Sequence, residues 1–253
     1  MSWFQVIVLA VVQGLTEFLP VSSSGHLALL EMVFNVSEGS LFFNVWLHLA
    51  SVLAVIIVLR VELWQVVRKG RLFLLLVVGT IPGAVAGYWL SDRIDASNGS
   101  VIWLVAGFIL TAATCFLIDR NFTGRKYEQL SGRGAFLIGV MQALALIPSL
   151  SRSAATIYGG KLLKLDRAEA VKFSFLLSVP IILGASAKEL ISADWSLVSQ
   201  DMDKMLVAFI ICLVVSVLVV AGLLKLLNKI SFRYFGYYTV VLALIILFLN
   251  YWM

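Results

Sequence analysis

Charged residues are scarce in this chain of 253 residues: Asp, Glu, Lys and Arg together make up 13%, and apolar residues make up 61%. A typical soluble domain carries about 25% charged residues. The scarcity of charge and the mean hydropathy of +1.01 exclude a soluble globular domain and predict a polytopic membrane protein. The net charge of +5 lies mostly on Lys and Arg residues in short polar segments. In a membrane protein such charges indicate how the chain is oriented in the bilayer, so we expect no nucleic-acid partner.

Cysteine is also scarce, and the two that occur, Cys115 and Cys212, lie inside apolar runs. This excludes a disulfide framework and a cysteine metal site, because single cysteines in apolar surroundings act as small packing residues. The first nine residues contain no Lys or Arg, so we expect no signal peptide.

One long polar stretch, Gln13–His26, interrupts the apolar sequence near the start of the chain. Gln13 and Glu17 are four residues apart and share one face of a helix. Pro20 should end that helix, because proline lacks a backbone N–H. Three consecutive serines then supply capping chemistry for a second helix that begins near residue 25. The pattern predicts two short helices joined at a polar segment, which we name the first break (residues 20–24).

The polar pattern recurs in the second half of the chain with one residue added. Pro148–Ser153, which we name the second break, resembles the first break. Two further pairs of segments correspond in the same order: Met141–Leu144 with Val12–Leu15, and Phe173–Leu177 with Phe43–Leu47. We interpret the chain as an internal duplication.

We predict an all-α polytopic membrane protein with two inverted-topology repeats, each a re-entrant helix pair followed by three transmembrane helices. A full span needs about 20 apolar residues, and the segments beside each break are too short. The first repeat covers residues 1–120, with its re-entrant pair at about 4–36 and spans at about 42–59, 72–90 and 101–118. A cytoplasmic linker covers residues 121–133. The second repeat covers residues 134–253, with its pair at about 135–165 and spans at about 170–187, 205–226 and 235–251.

The charges of the loops predict the orientation of both repeats. Segments 60–71, 119–133 and 224–235 carry an excess of Lys and Arg, whereas segments 91–100 and 187–204 carry more acids than bases. The positive-inside rule places the first three in the cytoplasm and the last two outside. Because each half has an odd number of crossings, the halves are inverted, and inverted repeats bring their broken helices together near the middle of the bilayer.

The second break holds Arg152 between Ser151 and Ser153. An ionisable residue at membrane depth is costly, so by default it is a functional hypothesis. A guanidinium matches phosphate oxygens, and helix N-termini bind anions. Together with Thr156 and the serines of the first break, these groups predict a phosphate site. Glu17 would repel a bare phosphate unless a divalent cation such as Mg²⁺ joins them.

Other interpretations stay open from the residues alone. Arg152 and Glu17 could form a structural ion pair without a substrate. His48 is expected to pack within a helix or to support the site residues from behind, rather than to act as a catalyst. A transporter or flippase for a polyprenyl-phosphate lipid would also use inverted repeats with broken helices. A flippase would need the arginine and the hydroxyls but not Glu17 beside His26. A membrane scaffold would not explain the concentration of polar groups at both breaks.

Gln13–His26 resembles the first signature of the undecaprenyl-diphosphatase (BacA) family, and Gly79–Gly83, Ile147–Thr156 and Phe173–Pro180 resemble its further signatures. The likeness covers nearly the whole chain. It implies an enzyme of the bacterial inner (plasma) membrane that hydrolyses undecaprenyl diphosphate to undecaprenyl phosphate and inorganic phosphate. This activity recycles the lipid carrier for cell-wall synthesis and confers bacitracin resistance. The resemblance also implies a divalent cation, Mg²⁺ or Ca²⁺, an active site open to the periplasmic or outer face, and allows a homodimer.

The resemblance and the polar pattern together give each candidate residue a role. The expected catalytic residues are Glu17, Ser23, His26 and Arg152, the expected substrate-binding residues are Ser22, Ser24, Ser151, Ser153 and Thr156, and the expected metal ligands are Glu17 and Gln13. The nucleophile stays open between Ser23, His26 and a metal-bound water, and His26 is the expected proton carrier.

The sequence departs from the family pattern at two places. Gln13 stands where Glu is usual, which reduces the charge available for a metal. Ser149 and Ala154 stand in the third signature where Gly is common, which predicts a stiffer loop without the loss of any functional group.

Overall fold

A computed structural model of the chain describes residues 1–36, 40–97, 100–119, 122, 124–192, 201–227 and 229–252. Within these residues the regular structure is helical, and an isolated bridge joins Arg125 to Leu165. The α-helices are α1 Trp3–Thr16, α2 Ser23–Phe34, α3 Ser40–Val58, α4 Arg60–Arg68, α5 Gly70–Ser97, α6 Val101–Ile118, α7 Gly132–Leu144, α8 Arg152–Leu162, α9 Arg167–Ser192, α10 Met202–Leu226 and α11 Arg233–Trp252. A short 3₁₀ turn, Tyr127–Gln129, lies between α6 and α7.

Five helices in the described part of the chain are long and apolar enough to cross a membrane: α5, α6, α9, α10 and α11. A sixth candidate span is α3 together with α4, a pair bent by 79° at their junction. Backbone groups in a bilayer must be paired internally, and long apolar helices satisfy this requirement. The predicted all-helical, multi-pass membrane protein is therefore confirmed.

The predicted loop at 60–71 is wrong over most of its length, because residues 60–68 form α4. Its apolar residues recur at helical spacing, with Val66 buried and Trp64 on the exposed side under the guanidinium of Arg68, 4.8 Å from the ring centroid. Such an amphipathic pattern indicates a helix along a surface rather than a loop. The flanking basic residues obscured this pattern in the sequence.

The predicted loop at 91–100 is also largely helical, since α5 continues to Ser97. In the second half, α9 continues to Ser192, beyond the predicted span end at 187. Residues 193–200 of the predicted acidic loop lie outside the described residues. Both helices therefore extend further from the membrane core than hydropathy alone indicates.

Each short helix pair turns at its break, and a serine caps the helix that follows. The hydroxyls of Ser22 and Ser151 accept hydrogen bonds from the backbone N–H of Gly25 and Ala154, each at 3.2 Å. Ser22 has a positive φ of 70°, a conformation that few residues other than glycine adopt. The caps fix where α2 and α8 begin, and with them the direction of the first side chain of each helix.

The backbone that follows α1 is held by the second half of the chain. α1 ends at Thr16, before the predicted end near residue 19. Ser153 donates through Oγ to the carbonyl of Leu19 at 2.9 Å, and Cys115 donates through Sγ to the carbonyl of Pro20 at 3.3 Å. Backbone carbonyls outside a helix need other partners, and these contacts supply them for Leu19 and Pro20.

α6 passes the second break with no room for a side chain at Gly107. A Cβ at this position would lie 2.2 Å from the carbonyl oxygen of Pro148 and 2.6 Å from Cβ of Ser149. One turn later, Thr111 accepts a hydrogen bond through Oγ1 from the backbone N–H of Ser151 at 2.9 Å. α6 therefore fixes the backbone that leads into α8.

Gly107→Ala should lower the free energy of unfolding by about 1–3 kcal/mol, the usual cost of an added group in a tightly packed site. Gly87→Ala is the matched control, because a Cβ at Gly87 meets nothing within 4 Å. Thermal unfolding of both variants in the same detergent checks the prediction. Equal unfolding temperatures for the two variants would contradict it.

Candidate active site

The two breaks meet at the carboxylate of Glu17, which directly follows α1 and has a side chain only 3% exposed. Arg152, the first residue of α8, donates to Oε1 of Glu17 at 2.5 Å. Ser23, the first residue of α2, donates through Oγ to Oε2 of Glu17 at 2.7 Å. A buried ion pair thus joins the two halves of the chain at a point that also holds a hydroxyl.

Both breaks present their functional group through the same capping pattern. In each break a capping serine precedes the helix, and the next residue is the one that contacts Glu17: Ser23 after Ser22, and Arg152 after Ser151. The first turn of a helix leaves backbone N–H groups free and concentrates partial positive charge. An anion held between Ser23 and Arg152 would therefore lie between two helix N-termini.

Gln13 and His48 complete the surroundings of Glu17. Nε2 of Gln13 donates to Oε2 of Glu17 at 2.8 Å and lies 2.8 Å from Nδ1 of His48. Nδ1 of His48 lies 3.1 Å from Oε2 of Glu17. The sequence interpretation left His48 between helix packing and a supporting role behind the site, and this contact agrees with the second, although the partner itself was not predicted. The available signal was an ionisable residue inside an apolar span, which by default has a function.

The hydrogen bonds of His26 go to groups outside this cluster, although the sequence predicted a role for His26 within it. Its Nδ1 lies 2.7 Å from the carbonyl oxygen of Ser22, and its Nε2 lies 2.7 Å from the hydroxyl of Tyr238 on α11. Both ring nitrogens are therefore engaged. A proton carried by His26 would have to displace the Tyr238 hydroxyl or pass through it.

The other predicted substrate-binding hydroxyls hold the backbone of the breaks. The buried members of this set are Ser22, Ser151, Ser153 and Thr156. Thr156 donates through Oγ1 to the carbonyl of Arg152 at 2.8 Å, whereas Ser24 is exposed and lies 3.4 Å from the hydroxyl of Ser22. Ser23 and Ser24 are thus the hydroxyls of the first break whose positions suit direct contact with a ligand, and a binding role for the buried four stays a prediction.

A divalent cation fits these residues in one respect. Oε1 of Gln13 is buried and has no hydrogen-bond partner among the described residues, and it belongs to the side chain that contacts Glu17. Amide and carboxylate oxygens are suitable ligands for Mg²⁺ and Ca²⁺. Within the described residues, no group of three or more His, Cys, Asp or Glu side chains forms a complete metal site. The residues present therefore fit an ion that takes its remaining ligands from a substrate or from water.

Fold and site together define a multi-pass membrane protein with a buried acid, an arginine and a hydroxyl gathered between two broken helices. The family model described as bacitracin resistance protein BacA matches residues 6–245. The chain therefore belongs to the BacA family.

Curated relatives resemble the chain along almost its entire length. An undecaprenyl-diphosphatase of Carboxydothermus hydrogenoformans is 38% identical over 256 residues, which cover 99% of this chain and 98% of the relative. One of Caldicellulosiruptor bescii is 38% identical over 259 residues, 98% of this chain and 97% of the relative. Undecaprenyl-diphosphatase 4 of a Bacillus cereus strain is 34% identical over 255 residues, 99% of this chain and 98% of the relative.

Proposed function

We propose that this protein is an undecaprenyl-diphosphatase, which hydrolyses undecaprenyl diphosphate to undecaprenyl phosphate and inorganic phosphate. The observation that supports this most directly is the contact of Ser23 and Arg152 with the buried carboxylate of Glu17. The names of its full-length relatives support the same activity. The reaction recycles the lipid carrier of cell-wall synthesis, and this recycling accounts for bacitracin resistance.

In the proposed reaction, Arg152 turns from Glu17 to the terminal phosphate and binds two of its oxygens through the planar guanidinium. Oγ of Ser23 attacks the phosphorus while its proton passes to Glu17, to which it already donates a hydrogen bond. The bond from phosphorus to the bridging oxygen breaks, and undecaprenyl phosphate leaves with the proton from Glu17. Water then attacks the phosphoserine and gives its proton to Glu17, which returns it to Ser23 as inorganic phosphate leaves.

Direct attack by water is the alternative to the phosphoserine, with Glu17 as the base in both cases. Trapping of a phosphorylated Ser23 during turnover separates the two routes. Phosphoryl transfer depends mainly on positioning and on stabilisation of charge. Arg152 and the two helix N-termini are therefore expected to contribute as much as the nucleophile does.

We further propose that Glu17 and Oε1 of Gln13 hold a divalent cation, Mg²⁺ or Ca²⁺, together with oxygens of the substrate. When bound, the cation supplies positive charge to the oxygens of the terminal phosphate. The amide oxygen of Gln13, which has no hydrogen-bond partner in the described part of the chain, supports this assignment.

The inverted-repeat architecture is part of the same proposal. Four helix contacts support it, because a two-fold relation between the halves would pair them: α1 packs on α10 as α5 packs on α7, while α3 packs on α9 and α6 on α11. Inverted repeats of this kind bring broken helices together at one site near the middle of the membrane. With the first pair entering from the outer face, the site opens to the periplasmic or outer side of the bacterial inner membrane.

Cysteine labelling tests this orientation. An impermeant thiol reagent applied to intact cells should modify Ser100→Cys, at the end of the predicted outer loop, and spare Gly124→Cys in the predicted cytoplasmic linker. The native Cys115 and Cys212 are buried, so they should give little background. Labelling of Gly124→Cys alone would invert the proposed topology.

The activity itself is tested by phosphate release from undecaprenyl diphosphate by detergent-purified protein, with and without a chelator. We expect release that the chelator suppresses and that added Mg²⁺ or Ca²⁺ restores. Translocation of the lipid in vesicles without phosphate release would instead favour a transporter. The carboxylate of Glu17, beside Ser23, is the feature that a transporter does not require.

A further inference from the structure

Tyr238, on the last helix of the chain, contacts the first break through His26. The Tyr238 hydroxyl lies 2.7 Å from Nε2 of His26. The two rings are nearly parallel, with an angle of 6° between their planes and 5.6 Å between their centroids. The edge of Phe108 from α6 meets the same imidazole, at 5.4 Å and 88°. The imidazole is therefore fixed by aromatic rings from α6 and α11 as well as by its hydrogen bonds.

The hydrogen-bond partners also define the tautomer of His26. The carbonyl oxygen of Ser22 can only accept, so Nδ1 of His26, 2.7 Å away, carries the hydrogen. In the neutral ring Nε2 is then an acceptor, and Tyr238 donates its O–H to it.

The carbonyl that His26 binds belongs to the residue that sets the geometry of the first break. Ser22 has the positive φ and caps α2, and the next residue, Ser23, donates to Glu17. A continuous series of contacts thus leads from Tyr238 through His26 and Ser22 to Ser23. Its ends are more than 200 residues apart in sequence.

We propose that Tyr238 is a positioning residue for the reaction: it holds the His26 imidazole in the Nδ1–H tautomer and thereby fixes the backbone that presents Ser23 to Glu17. This inference rests on the proposed phosphatase function for its catalytic consequence. The contact between Tyr238 and His26 itself does not depend on that function, so the two can be tested separately.

The test compares Tyr238→Phe, which keeps the ring and removes the hydroxyl, with Tyr237→Phe on the same helix. Tyr237 is the matched control, since its ring packs on Phe116 at 5.2 Å and is 59% exposed. The chain has only two histidines, so protein labelled with ¹⁵N-histidine gives resonances from two imidazoles, and His48→Gln identifies those of His26. Each variant is also assayed for kcat and KM with undecaprenyl diphosphate.

In Tyr238→Phe we expect the Nε2 resonance of His26 to move toward the value of a nitrogen without a hydrogen bond. We expect kcat to fall about five- to tenfold, as for the loss of one hydrogen bond, with KM changed less than about twofold because the lipid tail is bound elsewhere. Tyr237→Phe should leave the resonance and both kinetic constants at their wild-type values.

An unchanged Nε2 resonance in Tyr238→Phe would overturn the contact itself. If the resonance shifts in Tyr238→Phe but its kcat equals that of Tyr237→Phe, the positioning role would be overturned. A rise in KM with constant kcat would also overturn it, because it would assign Tyr238 to the substrate. Failure of the wild-type protein to release phosphate would refute the proposed function, while the resonance would still decide whether Tyr238 holds His26.

Discussion

Glu17→Gln should reduce phosphate release from undecaprenyl diphosphate to the background level. The amide cannot take the proton of Ser23, and it carries no charge to pair with Arg152 or to hold a cation. Any residual turnover should need a higher concentration of divalent cation than the wild type does. Removal of one partner of a buried ion pair typically costs about 3–5 kcal/mol of stability, so turnover has to be normalised to folded protein.

Glu31→Gln is the matched control for this substitution. Glu31 is a partly buried glutamate on α2 that accepts a hydrogen bond from Nδ2 of Asn44 at 2.8 Å. We expect the turnover of Glu31→Gln to stay at the wild-type level. If Glu17→Gln does not fold, Glu17→Asp keeps the charge but withdraws the carboxylate by one methylene, and it should fold with strongly reduced turnover. Normal turnover of either Glu17 variant at low cation concentration would make Glu17 a structural residue only.

The contacts of the first break were predictable where their causes are local. Proline and serine act on their own backbone neighbourhood, so the sequence predicts a break between α1 and α2. Its bounds differ from the prediction, because α1 already ends at Thr16 and α2 begins at Ser23 rather than near residue 25. Gln13 and Glu17 share a helix face by spacing alone, and their 2.8 Å hydrogen bond agrees with that spacing. To predict that Ser23 and Arg152 lie in one site, it was also necessary to recognise that the first break recurs in the second half of the chain.

The contacts that escaped prediction join distant parts of the chain. His48 reaches Glu17 from α3, within an apolar run whose pattern indicates only a span. Tyr238 reaches His26 across a separation of 212 residues, and no periodicity in a single sequence reports such a pair. α4 was missed for a different reason, since its basic ends masked an amphipathic helix.

In the proposed duplication, the two halves share a glutamine at corresponding positions, but the partners of its side chain differ. Gln142 corresponds to Gln13, and both are buried. Gln13 contacts Glu17 and His48, whereas the side-chain amide of Gln142 has no hydrogen-bond partner among the described residues. The second half has no acid at the position that follows Gln142 by one helical turn. One half of the chain therefore supplies the carboxylate, and the other supplies the guanidinium.

Arg152→Lys should fold and insert normally but lose a factor of roughly 10²–10³ in kcat, the usual effect of removing one preorganised donor to developing charge. Lysine keeps the positive charge, so the ion pair with Glu17 can persist and the two breaks stay joined. It lacks the planar pair of N–H donors that bind two phosphate oxygens at once. Because the long isoprenoid tail supplies much of the ground-state binding, the change in KM should be smaller than the change in kcat.

Arg167→Lys provides the comparison, since Arg167 also pairs with a carboxylate, that of Asp119 at 3.4 Å, but does so away from Glu17. Arg167 also donates to the carbonyl of Ile230 and lies over the ring of Phe232, so lysine can cost stability there. None of these contacts involves Glu17, so Arg167→Lys should retain its kcat per folded protein. The measurement is steady-state phosphate release by both variants, normalised to folded protein. If Arg152→Lys turned over as fast as Arg167→Lys, Arg152 would be a counter-ion of Glu17 and the bidentate grip on the phosphate would be wrong. A large loss in Arg152→Lys alone would assign the guanidinium geometry, and not merely its charge, to the transferring phosphoryl group.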